Sequence, residues 1–301
     1  MSLDSDLSDL NATPANSSHA MQRQGLLFAL LAVACFSTGP IFVRWASVSL
    51  GVYEIGAWRL LLAGSVIVGV ALARGEGPLP WGDWRRFLLF GLITALHFGF
   101  FIASLNFTTV AHSLAIVYTA PIFTALLSWR RFGEAPAPRQ WAGIALSVAG
   151  VGIMAGLEPN WTQRMAIGDL LALGSAITFT FYGLAGRSQR QRYPLLVYVG
   201  CVYLMAGFWF VPAAIATFSA GGYTLPAILS VLGIALFPTG LGHTFFNAAL
   251  RRSSATVVSV IATQEVTLGI LLGVVLLGEI PSLAAAGGVI VTLIGVALVI
   301  L

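Results

Sequence analysis

Long apolar runs separated by short polar clusters set the pattern of this chain. Cut at its Arg, Pro and Gly clusters, it divides into ten apolar segments, near 25–45, 53–73, 86–107, 111–130, 139–157, 168–187, 194–216, 226–249, 255–277 and 282–301. A bilayer core about 30 Å thick is crossed by about 20 residues of helix, and in lipid a single apolar segment satisfies all its own backbone groups only as a helix. The pattern predicts an all-α polytopic membrane protein with ten transmembrane helices. Connections as short as Thr108–Val110 and Gly278–Pro281 make sequential helices antiparallel neighbours. Residues 1–24 are polar, first acidic (Asp4, Asp6, Asp9) and then rich in Ser and Asn. They lack the basic-then-apolar order of a secretion signal and are expected to be a disordered cytoplasmic tail.

Composition excludes a soluble fold. Apolar residues make up 58% of the chain and charged ones 9%, against about 25% charged in soluble proteins. The net charge of +4 comes from 15 arginines, with no lysine, against 11 acids. Basic residues gather in short cytoplasmic loops, and twelve of the arginines fall on the side of the N-terminus: Arg23, Arg74, Arg85, Arg86, Arg130, Arg131, Arg139, Arg187, Arg190, Arg192, Arg251 and Arg252. Both termini are therefore expected in the cytoplasm. Charge used in this way marks topology, not a nucleic-acid footprint. Cys35 and Cys201 lie inside apolar runs, where packing explains them. No cofactor or metal is expected.

The chain repeats itself. At an offset of 145, Phe100, Phe101, Ala103 and Leu105 fall on Phe245, Phe246, Ala248 and Leu250, and Gly133, Glu134 and Pro136 on Gly278, Glu279 and Pro281. Gly143, Gly150 and Val151 likewise meet Gly288, Gly295 and Val296. At 143, Gly25, Leu27, Ala29, Phe36 and Arg44 meet Gly168, Leu170, Ala172, Phe179 and Arg187. Two five-helix halves, 25–157 and 168–301, are expected. Five spans are an odd number, so the second half enters the membrane inverted, the arrangement that lets two halves exchange conformations in alternating access.

These residues resemble the drug/metabolite transporter superfamily in its EamA-type ten-helix branch. The resemblance covers about residues 25–301 and rests on Arg59-Leu60-Leu61-Leu62-Ala63, on Ala115 to Pro121 followed by Gly133-Glu134, and on Leu277-Gly278-Glu279. Within the branch the chain looks most like YddG-type bacterial exporters of aromatic and other neutral amino acids. The resemblance implies export of metabolites across the bacterial cytoplasmic (inner) membrane through a cavity between the halves. Where the family often has Glu-Pro in span nine, this chain has Glu265-Val266, which puts a kink there in doubt.

Ionisable groups at membrane depth are costly and usually face the protein interior. Glu265 lies about ten residues into span nine, about 15 Å deep at 1.5 Å per residue. A carboxylate there can bind a substrate ammonium group, accept a proton, or serve as a structural partner. His97 and His243 each precede a repeated Phe-Phe pair and can line the cavity or be satisfied by a backbone carbonyl. Arg59 could snorkel, pair with an acid, or offer a fork to a substrate carboxylate. Trp58, Phe101, Tyr118, Tyr182, Phe245, Asn247, Thr263 and Gln264 complete the candidate substrate-binding set. A mostly apolar pocket with a few polar groups suits a small zwitterion. Trp81, Trp84, Trp129, Trp141 and Trp161 suit an interfacial belt, and His112 an interface. Glu134 and Glu279 are expected to cap the following helices. The glycines of spans five and ten (Gly143, Gly150, Gly152, Gly287, Gly288, Gly295) allow close backbone approach, for packing or dimerisation; a homodimer and a monomer remain equal readings.

The expected function is a secondary transporter, not an enzyme, that exports small neutral metabolites, foremost aromatic and other neutral amino acids, by alternating access. A multidrug or other metabolite exporter of the same fold is the alternative. No Walker-type phosphate loop is present, and an intramembrane enzyme would need a Ser-His dyad or paired metal ligands, which the isolated histidines do not supply.

Overall fold

Small polar side chains are packed inside this protein beside an apolar core, while large apolar ones stand on its outer surface. Thr94, Ser104, Ser113, Ser147, Ser175, Thr239, Thr263 and Thr292 are fully buried, while Leu170, Ile215, Val275 and Ile290 are exposed, as expected where lipid is the solvent. The computed structural model describes residues 14–77, 80–156, 162–277 and 282–301. Trp161 and the second Gly-Glu-x-Pro copy, residues 278–281, lie outside the described residues.

Among the described residues the chain is helical, without a strand. Its helices are α1 (Pro14–Phe36), α2 (Gly39–Ala46), α3 (Val52–Ala73), α4 (Trp84–Ser104), α5 (Val110–Val117), α6 (Ala120–Phe132), α7 (Pro138–Ala155), α8 (Gln163–Ser188), α9 (Leu195–Ala216), α10 (Leu225–Ile234), α11 (His243–Leu250), α12 (Ala255–Ala262), α13 (Gln264–Leu277) and α14 (Leu283–Ile300). A wide-turned π segment, Ala235–Gly242, joins α10 to α11. Eight helical stretches among the described residues are long and apolar enough to cross a membrane. α7 and α14, eighteen residues each, rise about 27 Å and complete an all-α polytopic membrane protein. α1 starts at Pro14, so it takes in residues 14–24, which were expected in the tail.

The halves pair as a twofold requires. Repeat-equivalent helices meet each other, α3 with α9 and α7 with α14, while α4 against α8 is mirrored by α11 against α1, α5 against α8 by α12 against α1, and α6 against α8 by α13 against α1. The approach of α7 to α14 depends on glycine. A Cβ at Gly143 would stand 2.6 Å from the Gly295 carbonyl oxygen, and one at Gly288 2.7 Å from that of Gly150. Exchanging Gly143 with Gly288 and Gly295 with Gly150 turns one contact into the other.

Several spans are broken at mid-depth. Span one breaks between α1 and α2 just before Pro40, and span four between α5 and α6 just before Pro121. Span nine breaks at Thr263, the repeat equivalent of Tyr118, which ends α5. The doubt raised by Val266 in place of proline is thereby resolved, because the break forms without it. Thr263 Oγ1 donates to the Val260 carbonyl, a local bond that competes with the helical ladder.

Polar contacts fasten both ends. His112 is not simply interfacial: its Nδ1 lies 2.9 Å from Asp169 Oδ1, linking the two halves. Glu134 does not cap the next helix as expected. It accepts from Ser128 Oγ at 3.0 Å and is ion-paired with Arg187, whose guanidinium also donates to the Leu250 and Ser253 carbonyls. Trp81, Trp84 and Trp129 are exposed, in keeping with a belt.

Candidate functional site

The breaks and the π segment gather chemistry at one central place. A cavity of about 50 Å³ is lined by Phe36, Gly39, Arg59, His97, Phe98, Phe101, Leu114, Val117, Tyr118, Phe179, Pro238, His243 and Glu265. These come from both halves, and Pro238 belongs to the π segment. A helix that widens by one residue per turn frees backbone groups and redirects its side chains, a device common at functional sites. Here it turns Thr239 toward Arg59.

Arg59 is 3% exposed. Its Nε donates to Thr239 Oγ1 at 2.9 Å, and its guanidinium carbon lies 4.0 Å from the centre of the Phe98 ring, a cation–π contact that helps hold a buried cation. Glu265 faces the same cavity and accepts from the Tyr118 hydroxyl. Among the described residues neither Arg59 nor Glu265 has an ion-pair partner within 4.0 Å. One small cavity therefore presents a guanidinium and a carboxylate that are not spent on each other.

Aromatic rings and two histidines form the rest of the wall. His97 Nδ1 stands 3.2 Å from the Ser175 carbonyl and 2.9 Å from its hydroxyl, so the tautomer with the proton on Nδ1 satisfies the carbonyl. The His97 ring stacks on Phe179 at 4.9 Å. His243 packs against Phe36 at 4.4 Å and edge-on to Phe98 at 4.9 Å. Its Nδ1 is buried and meets no hydrogen-bond partner among the described residues. Such a group costs about 1–3 kcal/mol, which a ligand or water can recover.

Of the expected residues, Arg59, His97, Phe101, Tyr118, His243 and Glu265 meet in this cavity. Tyr182 and Asn247 stand one layer behind. Asn247 Nδ2 donates to the Tyr182 hydroxyl at 2.6 Å and to the His243 carbonyl at 2.8 Å, so they support the His243 segment. Thr263 and Gln264 are buried at the span-nine break beside Glu265, with Gln264 Nε2 donating to Thr263 Oγ1 at 3.3 Å. Trp58 does not face the cavity. It is 44% exposed and donates to the Tyr223 hydroxyl at 3.0 Å, because one residue along a helix turns a side chain by about 100° and Arg59 takes the inward direction. Phe245 also points away, onto Phe28. Its neighbour Phe246 is the inward ring, 5.1 Å from Phe179.

Phe36 and Phe179 were absent from the expected site, yet the repeat aligns them with each other and both line the cavity. Thr239 and Pro238 had no such signal, since their placement depends on the π segment.

Residues 23–156 and 166–301 each match the EamA-like transporter family. The chain belongs to the EamA-like transporter family. It is 25% identical over 274 residues to a protein named aromatic amino acid exporter YddG from Ancylobacter novellus, covering 87% of this chain and 88% of that one. It is 23% identical to the threonine/homoserine exporter RhtA of Salmonella typhimurium, over 84% of this chain and 83% of that one. An uncharacterized transporter, YvbV of Bacillus subtilis, shares 29% identity over 67% of each chain. A solved crystal structure superposes with a TM-score of 0.78 at 21% identity, covering 91% of this chain and 95% of the other, a likeness of fold. The chain is thus an EamA transporter and a multi-pass membrane protein.

Proposed function

We propose that this EamA transporter exports neutral amino acids across the bacterial cytoplasmic membrane by alternating access of its two halves, with both termini in the cytoplasm. One observation carries the reading. Arg59 and Glu265 face a single cavity without pairing to each other, so the cavity offers one fork for a carboxylate and one acceptor for an ammonium group. A zwitterion satisfies both and brings no net charge. Charged partners in a water-poor site are strong ones, about 1.5–3 kcal/mol per hydrogen bond, and an unmatched charge at that depth is penalised. Aromatic walls from Phe36, Phe98, Phe101 and Phe179 suit an apolar side chain. The relatives named as amino-acid exporters agree with this class.

The cavity of about 50 Å³ holds only a few waters, each needing about 10–15 Å³. It is smaller than the roughly 300–1,000 Å³ of ligand pockets. The halves must separate for substrate to enter, as alternating access requires.

Counterflow in proteoliposomes tests the proposal. Labelled phenylalanine and threonine should exchange in a protein-dependent way, with phenethylamine and phenylpropionate as poor competitors, since each lacks one of the two charges. Absence of amino-acid flux, or equal competition by the single-charge analogues, overturns it.

A further inference from the structure

A second cavity, far larger than the central one, opens on the arginine-rich face. It has a volume of about 660 Å³ and lies between the start of α1, the start of α7, the end of α8, the turn from α11 to α12 and the end of α14. Five arginines line it, Arg139, Arg187, Arg190, Arg251 and Arg252, and among the described residues no carboxylate side chain does.

The guanidiniums are oriented but barely neutralised. Arg251 donates to the Arg190 carbonyl at 3.0 Å and the Tyr193 carbonyl at 2.8 Å. Arg252 donates to the Ala248 carbonyl at 3.0 Å and lies 4.8 Å over the Phe28 ring. Among the described residues Arg187, 9% exposed, is ion-paired with Glu134. Among the described residues Arg139 and Arg190 have no ion-pair partner within 4.0 Å. Topology alone asks that arginines lie in loops on one face; it does not ask that separate segments aim five of them into one hollow, nor that one be buried.

The rest of the wall names the occupant's other half. Met21, Val257, Val299 and Ile300 line the same cavity, so a cationic rim adjoins an aliphatic side. We propose that this cavity binds the phosphate of an anionic phospholipid headgroup, with the acyl chains along the aliphatic side. Arginine suits phosphate because its planar fork donates two parallel bonds, and basic pockets between helices at a membrane surface take anionic headgroups in this way. The site is distinct from the central cavity and does not depend on what that cavity transports.

The test uses the purified full chain in detergent, with binding read by native mass spectrometry and by thermal melting. Phosphatidylglycerol should be retained and raise the melting temperature, phosphatidylcholine should do neither, and Arg139→Gln with Arg190→Gln should weaken phosphatidylglycerol binding about tenfold or more, the loss of about 1.4 kcal/mol or more. Soluble glycerol phosphate should leave the melting temperature unchanged at matched concentration; if it reproduces the full shift, the lipid assignment is overturned in favour of a free phosphate ligand. Equal retention of both lipids, or an unchanged affinity in the double variant, overturns the site altogether. Should the double variant fail to fold, the wild type decides: phosphatidylglycerol binding that is insensitive to salt contradicts a guanidinium site.

Discussion

Gly25 and Gly168, which coincide in the internal repeat, are seated against equivalent turns at opposite ends of the molecule. A Cβ at Gly25 would stand 3.1 Å from those of Arg252 and Ser253, and one at Gly168 2.9 Å from that of Thr108 and 3.1 Å from that of Phe107. Arg252 and Ser253 are themselves the repeat equivalents of Phe107 and Thr108. Each glycine lets the first span of one half close on the turn between the third and fourth spans of the other. Both contacts are made in this structure.

Alanine at these positions should bias transport in opposite directions. Overpacking costs about 1–3 kcal/mol, whereas Gly to Ala gains about 1 kcal/mol in helix. The cost applies only while the end is closed, and the gain in every state. Gly25→Ala should therefore favour opening at the arginine-rich face and Gly168→Ala at the other. Single cysteines lining the cavity, labelled from each side of oriented vesicles, should react up to about tenfold faster from the face named. The same bias from both variants would contradict paired gates.

Arg59 and Glu265 should separate by ligand chemistry. Arg59→Gln should weaken competition by phenylalanine while leaving phenethylamine, which has no carboxylate, unchanged. Glu265→Gln should weaken phenylalanine and leave phenylpropionate unchanged. A loss of one charge-assisted contact, about 1.5–3 kcal/mol, corresponds to about 10–150-fold in affinity. Melting temperatures of the variants guard against misfolding, because Arg59 also ties α3 to the π segment through Thr239. Uniform weakening of every competitor would assign both residues to structure instead.

A cluster on the arginine-rich face should matter to stability and not to substrate choice. Asp83 accepts from Arg192 Nη2 at 2.9 and 3.0 Å and from the Tyr193 hydroxyl at 2.6 Å, tying the entrance of α4 to the turn between α8 and α9. Burial, then Asp83 itself, raises the pKa of the Tyr193 hydroxyl, so it stays a donor across the physiological range. Exposed pairs contribute at most about 1 kcal/mol. Asp83→Asn should lower the melting temperature slightly, with the relative rates for phenylalanine and threonine unchanged; altered selectivity would place this turn in the transport path.

The ten spans were legible because lipid imposes a length and a composition that no side-chain detail can undo. The candidate site was legible where depth and charge coincide: Glu265, Arg59 and the histidines stand out in apolar runs. Phe36 and Phe179 could have been added from the repeat, since equivalent residues converge where inverted halves meet. Trp58 and Phe245 failed because a type of residue says nothing of its direction on a helix, and Arg59 and Phe246 occupy the inward positions beside them. Thr239 was hidden by the π segment, whose extra residue per turn breaks the 3.6 period from which direction is read. Within its own loop Glu134 reads as a cap, whereas its partner Arg187 lies 53 residues away along the chain.

The glycines of spans five and ten should divide by face. A Cβ at Gly150 would fall 2.6 Å from the Thr292 backbone nitrogen and 2.8 Å from the Gly288 carbonyl oxygen, whereas one at Gly152 meets nothing within 4 Å. Backbone cannot rotate away as a side chain can, so Gly150→Ala must pry α7 from α14, at a cost of about 1–3 kcal/mol or more. Gly152→Ala meets open space and keeps the helix-forming gain of about 1 kcal/mol. The two substitutions, two residues apart and chemically identical, should shift the melting temperature in opposite directions, down for Gly150 and up for Gly152. A fall for both would mean that the Gly152 face is itself covered in the folded protein, as a dimerisation surface would be.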